Sequence, residues 1–387
     1  MSDRWPGKTI IGLTGNIATG KSVVRRMLEH LGAFSIDADS LAHRAMSPGA
    51  PAYKPIIENF GRWVLNNEGQ IDRVKLGRIV FADPSALAQL EGITHPVVRG
   101  AIDLLVRRSR QKVVAIEAIK LYESGLAGYC DTVWVVDAPE ALQLERLTDI
   151  RKMSKADAEA RIKAQAAQSE KLARAKVIIH NGTGYEDTYN QVKAALASLI
   201  GAPEPSEAAA EEAPVSVQPI EGAAGGEITI RRGGPEQAGP IAEFLNNVDQ
   251  SSLKRDDIMT RFGTKAYMLA MVGGKIVGLA GWQVENLITR VDEFLLAPDA
   301  PIKETVGGLL SSIESGSNDL QSEIALVFLK NDTPQPTQEA VQALDYLKQN
   351  VSELKIPDWR EAAQESAPPE TFLVAKRLRA DRILKPI

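Results

Sequence analysis

The chain has 387 residues and a net charge of −5, with 44% apolar and 25% charged residues, which is typical of a globular protein with two domains. The charge shows no basic excess and no run reaches the ~18 apolar residues of a membrane span, so we expect no nucleic acid and no membrane partner. The single cysteine excludes a disulfide framework, and the N-terminus lacks a signal-peptide pattern, so a cytoplasmic location is predicted.

The first predicted elements are a buried strand, a glycine-rich loop and a helix. The apolar run from Ile10 to Leu13 predicts a parallel strand, and apolar residues at helical spacing follow Ser22. Between them stands G-x-x-x-x-G-K-S, from Gly15 to Ser22, which is the phosphate-binding loop pattern. The order of strand, loop and helix is the context that this pattern requires.

This loop predicts a site for the polyphosphate of ATP and for Mg²⁺. Backbone N–H groups at a helix N-terminus favour anions, and Lys21 can reach the β- and γ-phosphates. The hydroxyl of Ser22 is a candidate Mg²⁺ ligand. We expect nucleotide contacts from the following residues: Gly15, Asn16, Ile17, Ala18, Thr19, Gly20, Lys21, Ser22 and Val23.

Two carboxylates follow the second predicted strand, Ala33 to Ile36. Ligands of open α/β sheets bind beyond the carboxyl ends of the strands, so Asp37 and Asp39 are placed to act on a substrate hydroxyl or on Mg²⁺. Asp39 is the favoured catalytic base and Asp37 a candidate substrate contact. Alternatively, either residue only caps the helix that begins at Ser40.

With these residues the chain resembles dephospho-CoA kinases. The shared patterns are I-G-L-T-G-x-I-x-x-G-K-S, D-A-D-x-L-A-H, G-x-I-D-R ending at Arg73, and L-E-x-I-x-H-P containing His95. The resemblance covers Thr9 to about Ile200. It implies phosphorylation of the ribose 3′-hydroxyl of dephospho-CoA by ATP with Mg²⁺, with Lys21 and Asp39 as catalytic residues.

Residues 53–110 show mostly helical periodicity and predict a helical insert that folds over the site. The resemblance makes Arg73, His95 and Arg99 candidate substrate contacts. Pro96 disfavours helix at the preceding residue, so we expect His95 at a helix start near the cleft. The alternatives are solvated arginines and a histidine that only orients a loop.

A third strand ends near Ile116, and the loop after it departs from the family. Members resemble D-V-P-L-L-F-E here, whereas this chain has Glu117 for the acid, Ala118 for the proline and Lys120 within the apolar pair. Tyr122 still fits and is a candidate substrate contact.

A basic helical stretch follows the fourth strand, Asp131 to Asp137, and resembles a nucleotide-kinase lid. Arginine forks complement the oxygens of a transferring phosphoryl group, so Arg146 and Arg151 are expected to be catalytic and Arg161 to contact substrate. The alternative is a solvated helix pair. After the fifth strand, Asn181 either lies near the nucleotide, as the resemblance implies, or makes a tight turn.

Residues 201–227 are rich in Ala, Pro, Glu, Ser and Gly and lack Lys and Arg, which predicts a flexible acidic linker. It separates a kinase-like domain, 1–200, from a second domain, 228–387. The second segment alternates strands and helices, including a hairpin over Ala266–Gln283 with a Gly-Gly turn. We therefore expect the two domains to fold independently.

The order of elements over about 228–380 resembles the GNAT acetyltransferase fold. Members cradle the acetyl-CoA pyrophosphate with Q/R-x-x-G-x-G/A, whereas this chain has Lys303 to Gly308 with Val306 at a glycine position. Glu285, Asp292 and Glu293 are the only acids on its central strands. We expect CoA or acetyl-CoA binding at most, and a domain that is inactive or CoA-sensing.

The predicted fold is α/β: a P-loop nucleotide-kinase parallel sheet with a helical insert and lid, followed by an α+β GNAT-like domain. The predicted function is synthesis of CoA and ADP from dephospho-CoA and MgATP. Two alternatives remain open at this point, namely another small-molecule or nucleoside kinase of the same fold, and a non-catalytic regulator that binds nucleotide or CoA.

Overall fold

A computed structural model describes residues 4–165, 168–201 and 227–380. The linker predicted over 201–227 lies outside the described residues except for its two end residues. The strands, in chain order, are β1 Thr9–Thr14, β2 Phe34–Asp37, β3 Val113–Glu117, β4 Thr132–Asp137, β5 Val177–His180, β6 Ile228–Gly233, β7 Ala266–Val272, β8 Lys275–Glu285, β9 Ile288–Leu296, β10 Ile324–Lys330, β11 Leu347–Lys348 and β12 Thr371–Arg377.

The α-helices are α1 Lys21–His30, α2 Ala38–Ala45, α3 Tyr53–Phe60, α4 Arg73–Val80, α5 Pro84–Arg108, α6 Glu140–Glu145, α7 Lys155–Lys163, α8 Gln168–Ala173, α9 Tyr185–Ile200, α10 Ala238–Asp249, α11 Arg255–Arg261, α12 Ile302–Asp319, α13 Gln335–Gln342 and α14 Pro357–Ser366. Within the described ranges, none is long and apolar enough to cross a membrane.

The N-terminal sheet has five parallel strands in the order β2-β3-β1-β4-β5, as predicted. Its central strands β1, β3 and β4 are largely buried, against α1 and α9 on one side and α2 to α5 on the other. β3 lies between β1 and β2, so that Glu117 pairs in register with both Leu13 and Asp37. The sheet therefore brings Glu117 and Asp37 together where β1 runs into the glycine-rich loop.

The helical insert is confirmed, but the predicted position of His95 is wrong. His95 lies inside α5, which continues through Pro96. The proline removes one backbone hydrogen bond of the helix. One face of α5 nevertheless packs Val98, Ile102 and Leu105 into the core, and this burial outweighs the missing bond.

The second domain is built on a seven-stranded mixed sheet in the order β11-β12-β10-β9-β8-β7-β6. The predicted hairpin is present, and Gly273 and Gly274 take positive φ at its turn, which favours glycine. Helix α13 ends at Gln342, and Leu347 and Lys348 pair with β12. Strands β9 and β10 pair in parallel only from Ile288↔Ile324 to Val291↔Val327. Beyond Val291 the two strands diverge.

The two domains are in contact through buried charges. Arg44 of α2 is 5% exposed and its Nη2 donates to Oε1 of Glu323 at 2.9 Å, where Glu323 is 1% exposed. Nη1 of Arg44 donates to the carbonyl of Asn286, and Nε lies 3.6 Å from Oδ2 of Asp358. A single kinase-domain arginine thus bonds three separate segments of the second domain.

The carboxyl end of α1 makes a further contact with the second domain. Nε2 of His30 lies 3.0 Å from the carbonyl of Phe262, and Nη1 of Arg26 donates to the carbonyl of Val284 at 2.9 Å. Arg232 donates to the carbonyl of Glu29 at 3.2 Å. Burial and the charge of Arg232 lower the pKa of His30 to about 3, so this histidine is neutral at pH 7.

We expect that cutting the chain between residues 202 and 226 leaves two pieces that elute together in size-exclusion chromatography. Arg44→Ala should make them separate, because it removes the buried ion pair with Glu323 across the interface, at a cost of about 3–5 kcal/mol. The matched control is Arg255→Ala, whose exposed pair with Glu186 contributes little. If the two pieces of the cut chain separated without any substitution, the result would contradict the buried interface.

Candidate active site

The glycine-rich loop has the strained backbone that its glycines allow. Gly15 and Gly20 have φ of 152° and 94°. A Cβ on Gly20 would lie 1.9 Å from Nδ2 of Asn181, and one on Gly15 would lie 2.5 Å from the carbonyl oxygen of Val136. The loop is therefore packed so closely against the sheet and against Asn181 that only glycine fits at these two positions.

Lys21 and Ser22 stand at the first turn of α1. Lys21 is 7% exposed, and its Nζ donates to the carbonyl of Asn16 within the loop at 3.0 Å. Burial lowers the pKa of Lys21. The hydroxyl of Ser22 is exposed and donates to Oε1 of Glu117 at 3.2 Å.

Two lid glutamines bind the backbone donors of the loop. The N–H of Asn16 donates to Oε1 of Gln168 at 3.1 Å, and the N–H of Ile17 donates to Oε1 of Gln165 at 2.8 Å. Carboxamide oxygens thus occupy the loop donors that phosphate oxygens of a nucleotide would otherwise accept from. Gln165 is the last residue of the pattern by which this stretch resembles a lid, but no role was predicted for either glutamine.

Arg146 and Asn181 brace the same loop from the side. Arg146 donates to the carbonyl of Ala18 and to the carbonyl of Asn181, each at 3.0 Å. Nδ2 of Asn181 donates to the carbonyl of Thr19 at 2.9 Å. Asn181 thus lies at the predicted nucleotide loop, whereas Val23, at the start of α1, faces the second domain, since a Cβ on Gly263 would lie 3.4 Å from it.

Asp37 and Asp39 have different surroundings. Asp37 caps α2, accepting from the backbone N–H and the hydroxyl of Ser40 at 2.9 Å each. Oδ2 of Asp39 accepts from the N–H of Ile119 at 3.0 Å. Burial raises the pKa of Asp39 against the opposing effects of that hydrogen bond and of Lys21. The helix cap considered as an alternative is therefore present at Asp37. The catalytic role of Asp39 stays a prediction.

Glu117 is a site residue that the sequence reading recorded only as a departure from the family. It is 5% exposed, and besides Ser22 it binds Nε of Arg25 at 2.7 Å. Burial raises the pKa of Glu117, while Arg25 and Lys21 oppose this shift. The acid at the end of β3 therefore connects the loop serine with a buried arginine of α1.

Lys171 is a second residue that was missed. It is 5% exposed on α8, and its Nζ donates to the carbonyl of Ile119 at 3.1 Å. Its charge acts on both Lys21 and Asp39. Gln168 and Lys171 are three residues apart on α8 and therefore lie on one side of that helix.

Arg151 and Arg161 also belong to the lid. α6 continues into a π-helical turn over Arg146–Ile150, closed by the N–H of Arg151 on the carbonyl of Arg146 at 3.3 Å. Arg151 is exposed, and its charge reaches Lys21. Arg161 is exposed on α7. The structure thus brings Arg146 and Arg151 to the loop and leaves Arg161 on the lid surface.

The remaining predicted substrate contacts lie further out. Arg73 is 55% exposed at its side chain and lies 3.8 Å from Glu361 of the second domain. His95 and Arg99 share one face of α5, where Lys120 lies within electrostatic range of His95. The hydroxyl of Tyr122 donates to the carbonyl of Arg174 at 3.0 Å.

The features predicted for the second domain are also located. Val306 is fully buried in its core, and Gly308 lies against β6, since a Cβ there would be 2.6 Å from Ile230. Asp292 pairs with Lys265 and Glu293 with Arg261, each at 2.6 Å, so neither is a solvated acid. A cavity of about 300 Å³ opens where β9 and β10 diverge.

A parallel sheet that ends in a phosphate loop, with a basic lid against the loop and a buried carboxylate beside it, defines a nucleotide kinase of the α/β class. The family model described as CoaE, dephospho-CoA kinase, matches residues 9–187. The dephospho-CoA kinase of Moorella thermoacetica is 43% identical over 194 residues, which are 49% of this chain and 92% of that protein. The chain belongs to the dephospho-CoA kinase family.

Two solved structures were also compared. The dephospho-CoA kinase of Campylobacter jejuni is 31% identical, with a TM-score of 0.38, and the match covers 50% of this chain and 97% of that protein's chain. An acetyltransferase of the GNAT family from Streptococcus pneumoniae is 13% identical, with a TM-score of 0.30, and covers 39% of this chain and 98% of its own.

Proposed function

We propose that the N-terminal domain uses ATP to phosphorylate the ribose 3′-hydroxyl of dephospho-CoA, giving CoA and ADP in the last step of coenzyme A biosynthesis. Family membership supports the substrate pair. The single structural observation that carries the reaction class is the half-buried carboxylate of Asp39, which shares its electrostatic surroundings with Lys21 of the phosphate loop. Phosphoryl transfer to a hydroxyl needs this combination of a base and a phosphate-binding cation.

The phosphates of ATP would take the loop donors. The N–H groups of Asn16 and Ile17 already hold carboxamide oxygens, which a nucleotide displaces as it enters. Lys21 and Lys171 then supply positive charge that is shielded from water, where it stabilises the transferring group most strongly. Arg151 adds positive charge from the lid. Arg146 stabilises the loop through its hydrogen bond to the carbonyl of Ala18.

The residues present fit Mg²⁺. The hydroxyl of Ser22 and the carboxylate of Glu117, 3.2 Å apart, are the hard oxygen ligands that this ion prefers, and would hold it beside the phosphates. When bound, the ion would neutralise charge on the phosphate oxygens. Among the described residues no group of three His, Cys, Asp or Glu side chains forms a metal cage, which suits an ion shared with a nucleotide.

Asp39 acts on the acceptor. One of its oxygens is held by the N–H of Ile119, and this bond orients the carboxylate. The other oxygen accepts the hydrogen of the acceptor hydroxyl, which turns the oxygen of that hydroxyl into the nucleophile. Arg73, His95, Arg99, Tyr122 and Arg161 stay predicted contacts to the rest of the acceptor.

The test is an assay of the full chain with ATP and dephospho-CoA. We expect one CoA, identified by mass, for each ADP formed. A panel of nucleosides and other small acceptors examines the alternative kinase, and turnover of one of these in place of dephospho-CoA would overturn the substrate. If no ADP formed with any acceptor of the panel, the result would favour the non-catalytic regulator. The use of ATP is consistent with the predicted cytoplasmic location. Cell fractionation tests that location.

For the second domain we propose weak CoA or acetyl-CoA binding at most, and no acetyl transfer. The bulky side chain of Val306 stands at a glycine position of the family pattern and is fully buried in the core. The acids Asp292 and Glu293 are held in ion pairs, so neither is a free base. We expect the full chain to release no thiol from acetyl-CoA in the presence of a panel of amines. Turnover of any amine would refute this proposal.

A further inference from the structure

A large cleft lies between the two domains. Its volume is about 690 Å³, and it is bounded by the start of α2 and of α4 on one side and by β9 and α14 on the other. Four arginines line it, two from each domain: Arg44, Arg73, Arg290 and Arg360. The same lining carries four carboxylates, those of Glu68, Asp358, Glu361 and Glu365. The guanidinium groups are the donors that suit a ligand with phosphate oxygens, so the pairing of each arginine decides whether it is available.

The cleft begins beside the acceptor base. His43 lines it and follows Asp39 by one turn of α2, a separation of about 5–6 Å between side-chain origins. The charges of Arg73 and of Asp39 both act on His43. An acceptor whose hydroxyl lies at Asp39 can therefore continue past His43 into the cleft.

Arg290 is the most informative residue of the cleft. It is 7% exposed, yet its Nε has no hydrogen-bond partner in the parts of the chain that the structure describes. Its Nη1 donates to Oε2 of Glu285 at 3.3 Å, and its Nη2 lies 3.6 Å from Oε2 of Glu365. The Nε donor of this buried guanidinium is thus left without an acceptor among the described residues, and an anionic ligand would supply one.

Arg360 stands on the same wall. It is half-buried, and its Nη1 donates to the carbonyl of Leu354 at 2.7 Å, which fixes the guanidinium at the cleft. We propose that Arg290 and Arg360 bind the diphosphate of the acceptor, so that the second domain completes the acceptor site of the kinase. This inference rests on the proposed phosphorylation of dephospho-CoA.

The acids of α14 compete for these arginines. Glu361 and Glu365 are one turn apart, are 63% and 60% exposed at their side chains, and lie 3.8 Å from Arg73 and 3.6 Å from Arg290. Both carboxylates are largely exposed, so water can solvate them when they leave the arginines. A bound diphosphate would therefore displace these two carboxylates from the arginines. The negative charges of the carboxylates oppose its binding.

The test measures KM for dephospho-CoA and for ATP in the full chain. Arg290→Gln and Arg360→Gln should each raise KM for dephospho-CoA about tenfold, since a charge-assisted hydrogen bond is lost, while kcat and KM for ATP change less than twofold. The double variant Glu361→Gln with Glu365→Gln should lower KM for dephospho-CoA. A purely structural role of the wall would not shift KM in opposite directions.

The matched control is Arg255→Gln, which removes an interdomain arginine away from the cleft and should leave both KM values unchanged. Thermal denaturation establishes that each variant is folded. If Arg290→Gln does not fold, Arg360→Gln and the double glutamate variant still test the inference. An unchanged KM in all cleft variants, or an equal rise for ATP, overturns the inference. Failure of the unsubstituted chain to phosphorylate dephospho-CoA refutes the proposed function instead.

Discussion

Lys21→Ala should lower kcat/KM for phosphoryl transfer by about a hundredfold or more, equivalent to about 2.7 kcal/mol of transition-state stabilisation. The ammonium of Lys21 is buried and held at the loop by Asn16, so its charge acts on the phosphates with little screening by water. Because the same charge binds the ground-state phosphates, KM for ATP should rise as well. Steady-state kinetics with varied ATP measures both effects.

Lys163→Ala is the control for this experiment, because it removes a lysine from the same lid region at an exposed position. It should leave kcat/KM unchanged. Turnover of Lys21→Ala within threefold of the unsubstituted chain would show that the loop lysine does not act on the transferring group.

Asp39→Asn should lower kcat by about a hundredfold or more while the Kd for ATP stays within twofold. Asparagine keeps the size of the side chain but cannot take the proton of the acceptor hydroxyl. Burial raises the pKa of Asp39, so the protonated, inactive form persists to higher pH than for an ordinary aspartate. The acid limb of the kcat/KM profile should therefore lie above the usual aspartate range and should disappear in the variant.

Asp37→Asn separates capping from catalysis. Asparagine caps a helix as well as aspartate does, so a residue that only accepts from Ser40 should tolerate the change. A raised KM for dephospho-CoA would instead support the predicted substrate contact. If Asp39→Asn turned over at the unsubstituted rate, the assignment of the base would be wrong whatever Asp37 does.

The sequence was most informative where the chemistry is local. Gly15, Lys21 and Ser22 belong to one loop, and the strand before it and the helix after it are as predicted. Asp39 lies in the first turn of α2, just beyond β2, at the edge where the strand ends of the parallel sheet meet, and its role as the base stays a prediction.

Residues that depend on distant packing could not be found in this way. Gln165, Gln168 and Lys171 reach the site only because the lid closes on the loop, more than 140 residues away along the chain for the two glutamines. Arg44 pairs with a glutamate 279 residues further on. His95 was misplaced because a local preference at Pro96 lost to the burial of one face of a 25-residue helix.

Helix α1 carries nucleotide chemistry at one end and the domain contact at the other. Its ten residues span about 15 Å, from Lys21 in the phosphate loop to His30 against Phe262. Any displacement of this rigid element that accompanies nucleotide entry also changes the fit of the second domain. Thermodynamic reciprocity then requires that the factor by which ATP alters docking of the second domain equals the factor by which docking alters the affinity for ATP.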